Sequence, residues 1–141
     1  MFDGTIAANI CRFSNENSDK IIQASKSAGI HEMILSLENG YDTIINANGG
    51  TLSAGQKQRL GLARAIYDEP KLIILDEPNS NLDDQGERDL LSTLNHLKGS
   101  GRTIIVVTHR TSILSLVDKL LLMKDGGVSC TLVKRMMSCR L

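Results

Sequence analysis

Three features predict an α/β fold with a mainly parallel sheet. The run Leu72-Ile73-Ile74-Leu75 is short, continuous and apolar, and reads as a strand buried on both faces. The run Thr103-Ile104-Ile105-Val106-Val107 is a second, β-branched strand. Between them, residues 84–98 carry Leu90, Leu91, Leu94 and Leu97 as one helical stripe. Strand, helix and strand in that order is the alternation that builds a parallel sheet.

The remaining elements follow in chain order. Residues 5–11, 18–27 and 29–37 read as helices, the middle one with Ile21, Ile22, Ala24 and Ala28 as its apolar positions. Asn39-Gly40 and Asn48-Gly49-Gly50 are turn signals. A helix capped by Ser53 runs to about Ile66, with Leu60, Leu62, Ala63 and Ile66 as its buried stripe and Lys57, Arg59 and Arg64 adding positive charge. Gly99 to Gly101 end the helix that precedes the second strand. A short helix is expected at residues 112–116 and a last strand at 119–123, closed by Asp125-Gly126-Gly127.

The chemistry gathers at three places. Ser53 and Gln56 form the S-x-x-Q variant of a capping box. Gly55 has no Cβ, so an anion can approach the backbone there, at the positive end of the helix dipole. A plain capped surface helix accounts for these residues equally well. Asp76 and Glu77 change the balance, because they stand where a strand leaves the sheet, the usual ligand-binding edge of an α/β fold. Pro78 stops that strand from continuing. An aspartate at such a point can hold Mg²⁺, and the next carboxylate can orient or deprotonate water. His109 closes the Thr103 strand, where a histidine could reach a terminal phosphate or the attacking water. Together these residues point to part of a nucleotide hydrolase. His31 and His96, in polar helical contexts, read as surface residues.

Composition bounds the alternatives. The 141 residues suit one domain, and the formal net charge of zero gives no electrostatic case for nucleic acid or anionic lipid. With two Phe, two Tyr and no Trp, there is no stacking platform for bases. Cys11, Cys130 and Cys139 lack metal-site spacing and read as reduced cytosolic thiols. No signal peptide, internal repeat or apolar run of membrane-spanning length is present.

Leu52-Ser53-Ala54-Gly55-Gln56 resembles the signature motif of ABC ATPases, with Ala54 where a second glycine is common. The Leu72–Asp76 segment resembles a Walker B strand, and Glu77 falls at the family's catalytic glutamate. Ser80-Asn81-Leu82-Asp83 resembles the D-loop, with Asn81 in place of the usual alanine, and His109 matches the switch histidine. Phe2-Asp3-Gly4-Thr5-Ile6-Ala7-Ala8-Asn9-Ile10, Asp76-Glu77-Pro78-Asn79-Ser80-Asn81-Leu82-Asp83 (its Pro-Asn-Ser-Asn run most of all) and Val117-Asp118-Lys119-Leu120-Leu121-Leu122-Met123 narrow the likeness to exporter ATPases of type I secretion systems, the branch that exports proteases, lipases and RTX proteins.

The resemblance implies a P-loop NTPase-like core. Residues 1–50 would be part of the helical subdomain, and 51–127 the part of the core with the signature helix, Walker B strand, D-loop and switch histidine. Residues 128–141 would be an atypical tail, from a frameshift near Ser129 or an ordinary divergent terminus. The resemblance also implies ATP and Mg²⁺ as cofactors. Two nucleotide-binding domains would close head to tail around ATP, each offering Leu52, Ser53, Ala54, Gly55 and Gln56 to the nucleotide on the other. Asp76 would hold Mg²⁺, Glu77 would polarise water, His109 would steady the transition state and Asp83 would couple the two sites. The implied partners are a second such domain, the exporter membrane domain, and adaptor and outer-membrane secretion components, on the cytoplasmic face of the inner membrane. No G-x-x-x-x-G-K-[ST] occurs in the sequence. The chain is therefore expected to begin downstream of the family's phosphate loop, truncated so that the loop is missing, and to be inactive alone. The alternatives are a non-exporter ABC-type ATPase, a pseudogene-like remnant, or a non-enzymatic half-domain paired with an intact ATPase.

Overall fold

The computed structural model describes residues 1–47, 52–124 and 127–129, with side chains described up to residue 121. The chain divides into two compact units, Met1–His109 and Arg110–Leu141.

The first unit opens with β1 (Gly4–Thr5), α1 (Ile6–Ile10), α2 (Ser18–Ser27), α3 (His31–Leu35), a 3-10 turn (Gly40–Asp42) and β2 (Ile44–Ile45). Local chemistry sets the starts of the first two helices. Thr5 caps α1 by accepting from the Ala8 N–H at 3.0 Å, and Asn17 caps α2 by accepting from Lys20 at 3.0 Å. β1 and β2 pair antiparallel, Gly4 opposite Ile45 and Thr5 opposite Ile44, a short ladder that the sequence gives no signal for. Ile21, Ala24 and Ala28 are buried as expected, while Ile22 is half-buried. His31, expected at the surface, is half-buried with Nδ1 2.8 Å from the Tyr41 hydroxyl. Burial pushes that hydroxyl above the ordinary tyrosine range, with a Ser25 hydrogen bond opposing it. His96 is exposed.

The core half of this unit is α4 (Ala54–Ile66), β3 (Leu72–Asp76), α5 (Asp84–Gly99) and β4 (Thr103–Val107). β3 and β4 run parallel in register from Leu72 opposite Thr103 to Asp76 opposite Val107. Leu60, Leu62, Ala63 and Ile66 of α4 are all buried, and so are Leu90, Leu94 and Leu97 of α5, with Leu91 half-buried. Gly101, at φ +80°, supplies the left-handed residue that turns the chain from α5 into β4.

One expectation is overturned. β3 is not buried on both faces: Ile73 and Leu75 are 2% and 7% exposed, but Leu72 and Ile74 are 51% and 63% exposed. Alternation sends Ile73 and Leu75 to the covered face and Leu72, Ile74 and Asp76 to the other. Among the described residues of this unit, no layer covers the second face.

The second unit contains a 3-10 turn (Thr111–Ser115) and an antiparallel hairpin of β5 (Leu122–Lys124) and β6 (Gly127–Ser129). β5 starts later than the strand expected at 119–123, and β6 lies where no regular element is expected. The reading of Cys130, Cys139 and the rest of the tail falls outside the described residues. Cys11 is a buried free thiol.

Candidate functional site

The start of α4 is built as its sequence directs. The Ser53 Oγ accepts from the Gln56 N–H at 3.2 Å, and the Gln56 Oε1 accepts from the Ser53 N–H at 2.8 Å, completing the capping box. Leu52 is buried and anchors the turn, whereas Ser53 and Ala54 are exposed. Because the Ser53 oxygen acts as acceptor within the cap, its O–H proton remains available to an incoming anion. A Cβ on Gly55 would lie 3.2 Å from the Asn81 carbonyl oxygen, so the glycine admits a close approach of backbone to backbone. Arg59 and Arg64 do not face an anion there. Arg59 donates to the Gly29 carbonyl at 2.9 Å and pairs with Asp89 at 3.3 Å. Arg64 donates to the Asn9 carbonyl at 2.7 Å and to the Asn9 Oδ1, and lies 5.0 Å over the Phe2 ring.

The carboxyl end of β3 carries the acid cluster. Asp76 is the last strand residue and is exposed. Glu77 follows with φ +46°, a left-handed conformation that costs a non-glycine residue about 1–3 kcal/mol. Its N–H donates to the Val107 carbonyl at 2.8 Å, tying the strained residue to the end of β4. The Glu77 Oε1 lies 2.9 Å from the His109 Nδ1. The contact suits an Nδ1–H donor to a carboxylate acceptor, and the His109 side chain is 74% exposed. The other carboxylate oxygen, Oε2, is buried and has no protein partner among the described residues. A buried acceptor without a partner is uncommon and marks this carboxylate as a candidate functional group.

The turn after Glu77 is held from several sides. Ser80 donates to the Glu77 carbonyl through its N–H at 3.2 Å and its hydroxyl at 3.1 Å. Asn81 is exposed and Leu82 half-buried. Asp83 caps α5, accepting from the Gly86 N–H at 2.8 Å. Two more residues complete the turn: Asn79, read in the sequence only as part of the Pro78–Asn81 resemblance, and Gln58, which sequence reasoning gave no role. Asn79 is fully buried; its amide donates to the Glu87 Oε1 at 2.9 Å and accepts from the Thr108 hydroxyl at 3.2 Å. Gln58 reaches over from α4 and donates to the Glu77 carbonyl at 2.6 Å. Neither residue's partners were visible in the sequence, because both sets come from tertiary contact.

The donor set fits a hard divalent cation held loosely. No group of three or more metal-binding side chains occurs among the described residues. Asp76, exposed at the strand end, offers one carboxylate, and Mg²⁺ can be bound through one or two carboxylates when phosphates and water supply the remaining oxygens.

Comparison with known proteins shows the family. A family model described as ABC transporter matches residues 4–80. The type I secretion system ATP-binding protein PrsD of Rhizobium meliloti is 51% identical over 127 residues, covering 89% of this chain and 22% of that protein. An ATP-dependent lipid A-core flippase of Saccharophagus degradans is 42% identical over 130 residues, covering 91% of this chain and 22% of the flippase. A solved bacterial Atm1-family ABC exporter with ATP bound superposes with a TM-score of 0.82 at 34% identity, covering 92% of this chain and 23% of that one. This chain thus spans less than a quarter of these relatives. Its matched segment begins at the first strand and runs through Asp76, Glu77 and the turn behind them, and the chain belongs to the ABC transporter family.

Proposed function

We propose that this chain is part of the ATP-hydrolysing subunit of an ABC exporter, and that the exporter serves type I protein secretion. The observation that carries the hydrolytic reading is Glu77, a strained strand-end carboxylate with one oxygen held by His109 and the other unpartnered. In the proposed reaction the Glu77 carboxylate orients the attacking water and takes its proton. His109 fixes the carboxylate through Oε1 and turns Nε2 towards the γ-phosphate. Leu52, Ser53, Ala54, Gly55 and Gln56 form the face that meets ATP held by a second subunit, with the Ser53 hydroxyl and the first free N–H groups of α4 donating to the γ-phosphate. Asp76 would hold Mg²⁺, whose charge would offset that developing on the phosphate oxygens. Ser80, Asn81, Leu82 and Asp83 lie at the subunit boundary, where Asp83 would pass closure on to α5. The membrane domain, adaptor and outer-membrane components are the proposed partners, at the cytoplasmic face of the inner membrane. The secretion assignment is supported by the 51% identity to PrsD against 42% to the flippase.

The test restores a phosphate loop by fusing the upstream part of the PrsD ATPase domain to Met1. Glu77→Gln should lower ATP turnover by about 10²-fold or more while preserving ATP binding, and should trap an ATP-bound dimer seen by light scattering. Ser53→Arg should prevent that dimer. A Glu77→Gln fusion that still hydrolyses ATP would falsify the catalytic assignment. Export of a type I substrate by the full-length fusion in cells lacking PrsD tests the secretion assignment, and rescue of lipid A-core transport alone would replace it. The 141-residue chain by itself should show only background turnover, because no lysine-bearing glycine loop is present in its sequence.

A further inference from the structure

The signature helix and the turn that presents Glu77 are joined by one side chain. Gln58 sits on α4, five positions after the cap, and is half-buried. Its Nε2 donates to the Glu77 carbonyl at 2.6 Å and lies 3.3 Å from the Ser80 hydroxyl. Its Oε1 accepts from the Asn81 N–H at 3.2 Å. One amide therefore spans the turn from Glu77 to Asn81, using its donor and its acceptor together. Gly55, one turn nearer the helix start, touches the same segment, with its Cβ position 3.2 Å from the Asn81 carbonyl oxygen.

We propose that Gln58 is a positioning residue for Glu77, transmitting displacement of the α4 start into the turn that aims the catalytic carboxylate. The inference rests on the hydrolytic role assigned to Glu77 above. Its physical basis is the conformation of Glu77 itself. A non-glycine residue at φ +46° relaxes unless its surroundings hold it. Its N–H is held by Val107, and its carbonyl by Gln58 and Ser80. Of these, only Gln58 belongs to the helix whose N-terminus is proposed to meet phosphate. When that N-terminus shifts on meeting an anion, the amide pulls on the Glu77 carbonyl and rotates the carboxylate against His109. Each chain would then sense, at its own water-activating group, whether its signature face is engaged on the opposite site.

The test uses the isotopically labelled 141-residue chain and two variants. Gln58→Leu keeps the side-chain bulk and removes both polar ends. Gln58→Glu keeps an acceptor for the Asn81 N–H but turns a carboxylate oxygen on the Glu77 carbonyl. Three signals are read by NMR: hydrogen exchange at the Asn81 amide, exchange at the Gly86 amide as a fold control, and the Nδ1–H tautomer of His109, which reports its bond to Glu77. Gln58→Leu should speed Asn81 exchange about tenfold and weaken the His109 signature. Gln58→Glu should retain Asn81 protection yet still lose that signature. Both should leave Gly86 protected. Loss of the His109 signature in either variant with Gly86 still protected supports the proposal. Retention in both, or loss only together with Gly86 protection, overturns it. A fused ATPase that tolerates Glu77→Gln would remove the catalytic role of Glu77 without changing any of these signals, so the two failures are distinguishable.

Discussion

Asn9 is fully buried and spends its whole amide on neighbours. Its Oδ1 accepts from the Phe2 N–H at 3.0 Å and from Arg64, while its Nδ2 donates to the Phe2 and Thr5 carbonyls at 2.9 and 3.0 Å. Desolvation lowers the basicity of the Arg64 guanidinium, and Arg12 beside it adds to the effect. Removing the acceptor should therefore cost more than one neutral hydrogen bond. Asn9→Ala is expected to destabilise the fold by about 2–3 kcal/mol, measured as a lower urea midpoint at unchanged slope. Arg64→Lys should also destabilise, because an ammonium cannot serve both Asn9 oxygens in the plane of a guanidinium fork. A midpoint unchanged in Asn9→Ala would show that the buried network contributes no net stability. At this scale the sequence was readable where partners are close in the chain. Ser53 and Gln56 are three residues apart, and their capping box is present. Asn9 and Arg64 are 55 residues apart and Gln58 and Glu77 are 19 apart, so neither pair had a local signal.

The α4 helix combines a well-formed start with a weak interior. Its capping box satisfies donors that would otherwise be orphaned, and Ser53→Ala should cost about 1 kcal/mol. Gly61 sits mid-helix, and a Cβ built there meets nothing within 4 Å. Gly61→Ala should therefore stabilise by up to about 1 kcal/mol through propensity alone. The two substitutions have opposite signs in one helix, which thermal unfolding resolves directly. If Gly61→Ala destabilises instead, its site is filled by something outside these residues. Element boundaries were read well where capping and stripe agree: α5 begins after Asp83 and ends at Gly99, within a residue or so of expectation. They were read less well where strands are short. β1 and β2 have two residues each, too few to show alternation.

For the first unit as a whole, the decisive feature is the uncovered face of the β3–β4 pair. The register puts Ile74 beside Ile105 and Asp76 beside Val107, so Leu72, Ile74, Ile105 and Val107 share one face, and all four are about half exposed or more. A continuous apolar run looks the same in sequence whether or not a second layer covers it, which is why two-sided burial was expected here. Four adjoining aliphatic side chains are a larger apolar patch than scattered surface residues form, and such patches promote association. The purified chain should accordingly grow in apparent mass with concentration when followed by light scattering. Ile74→Thr combined with Ile105→Thr keeps β-branching, and so strand propensity, while making both positions polar. That double variant should lower association while leaving the unfolding midpoint nearly unchanged, because neither side chain contributes to the buried face occupied by Ile73 and Leu75. Fusion to the upstream part of a relative's ATPase domain should suppress association in the same way if that part packs on the face. It should also reverse the effect of the double variant: the two threonines, harmless in the isolated chain, would then destabilise the fusion. Equal stability of the two fusions would show that the face stays in water even in the larger protein.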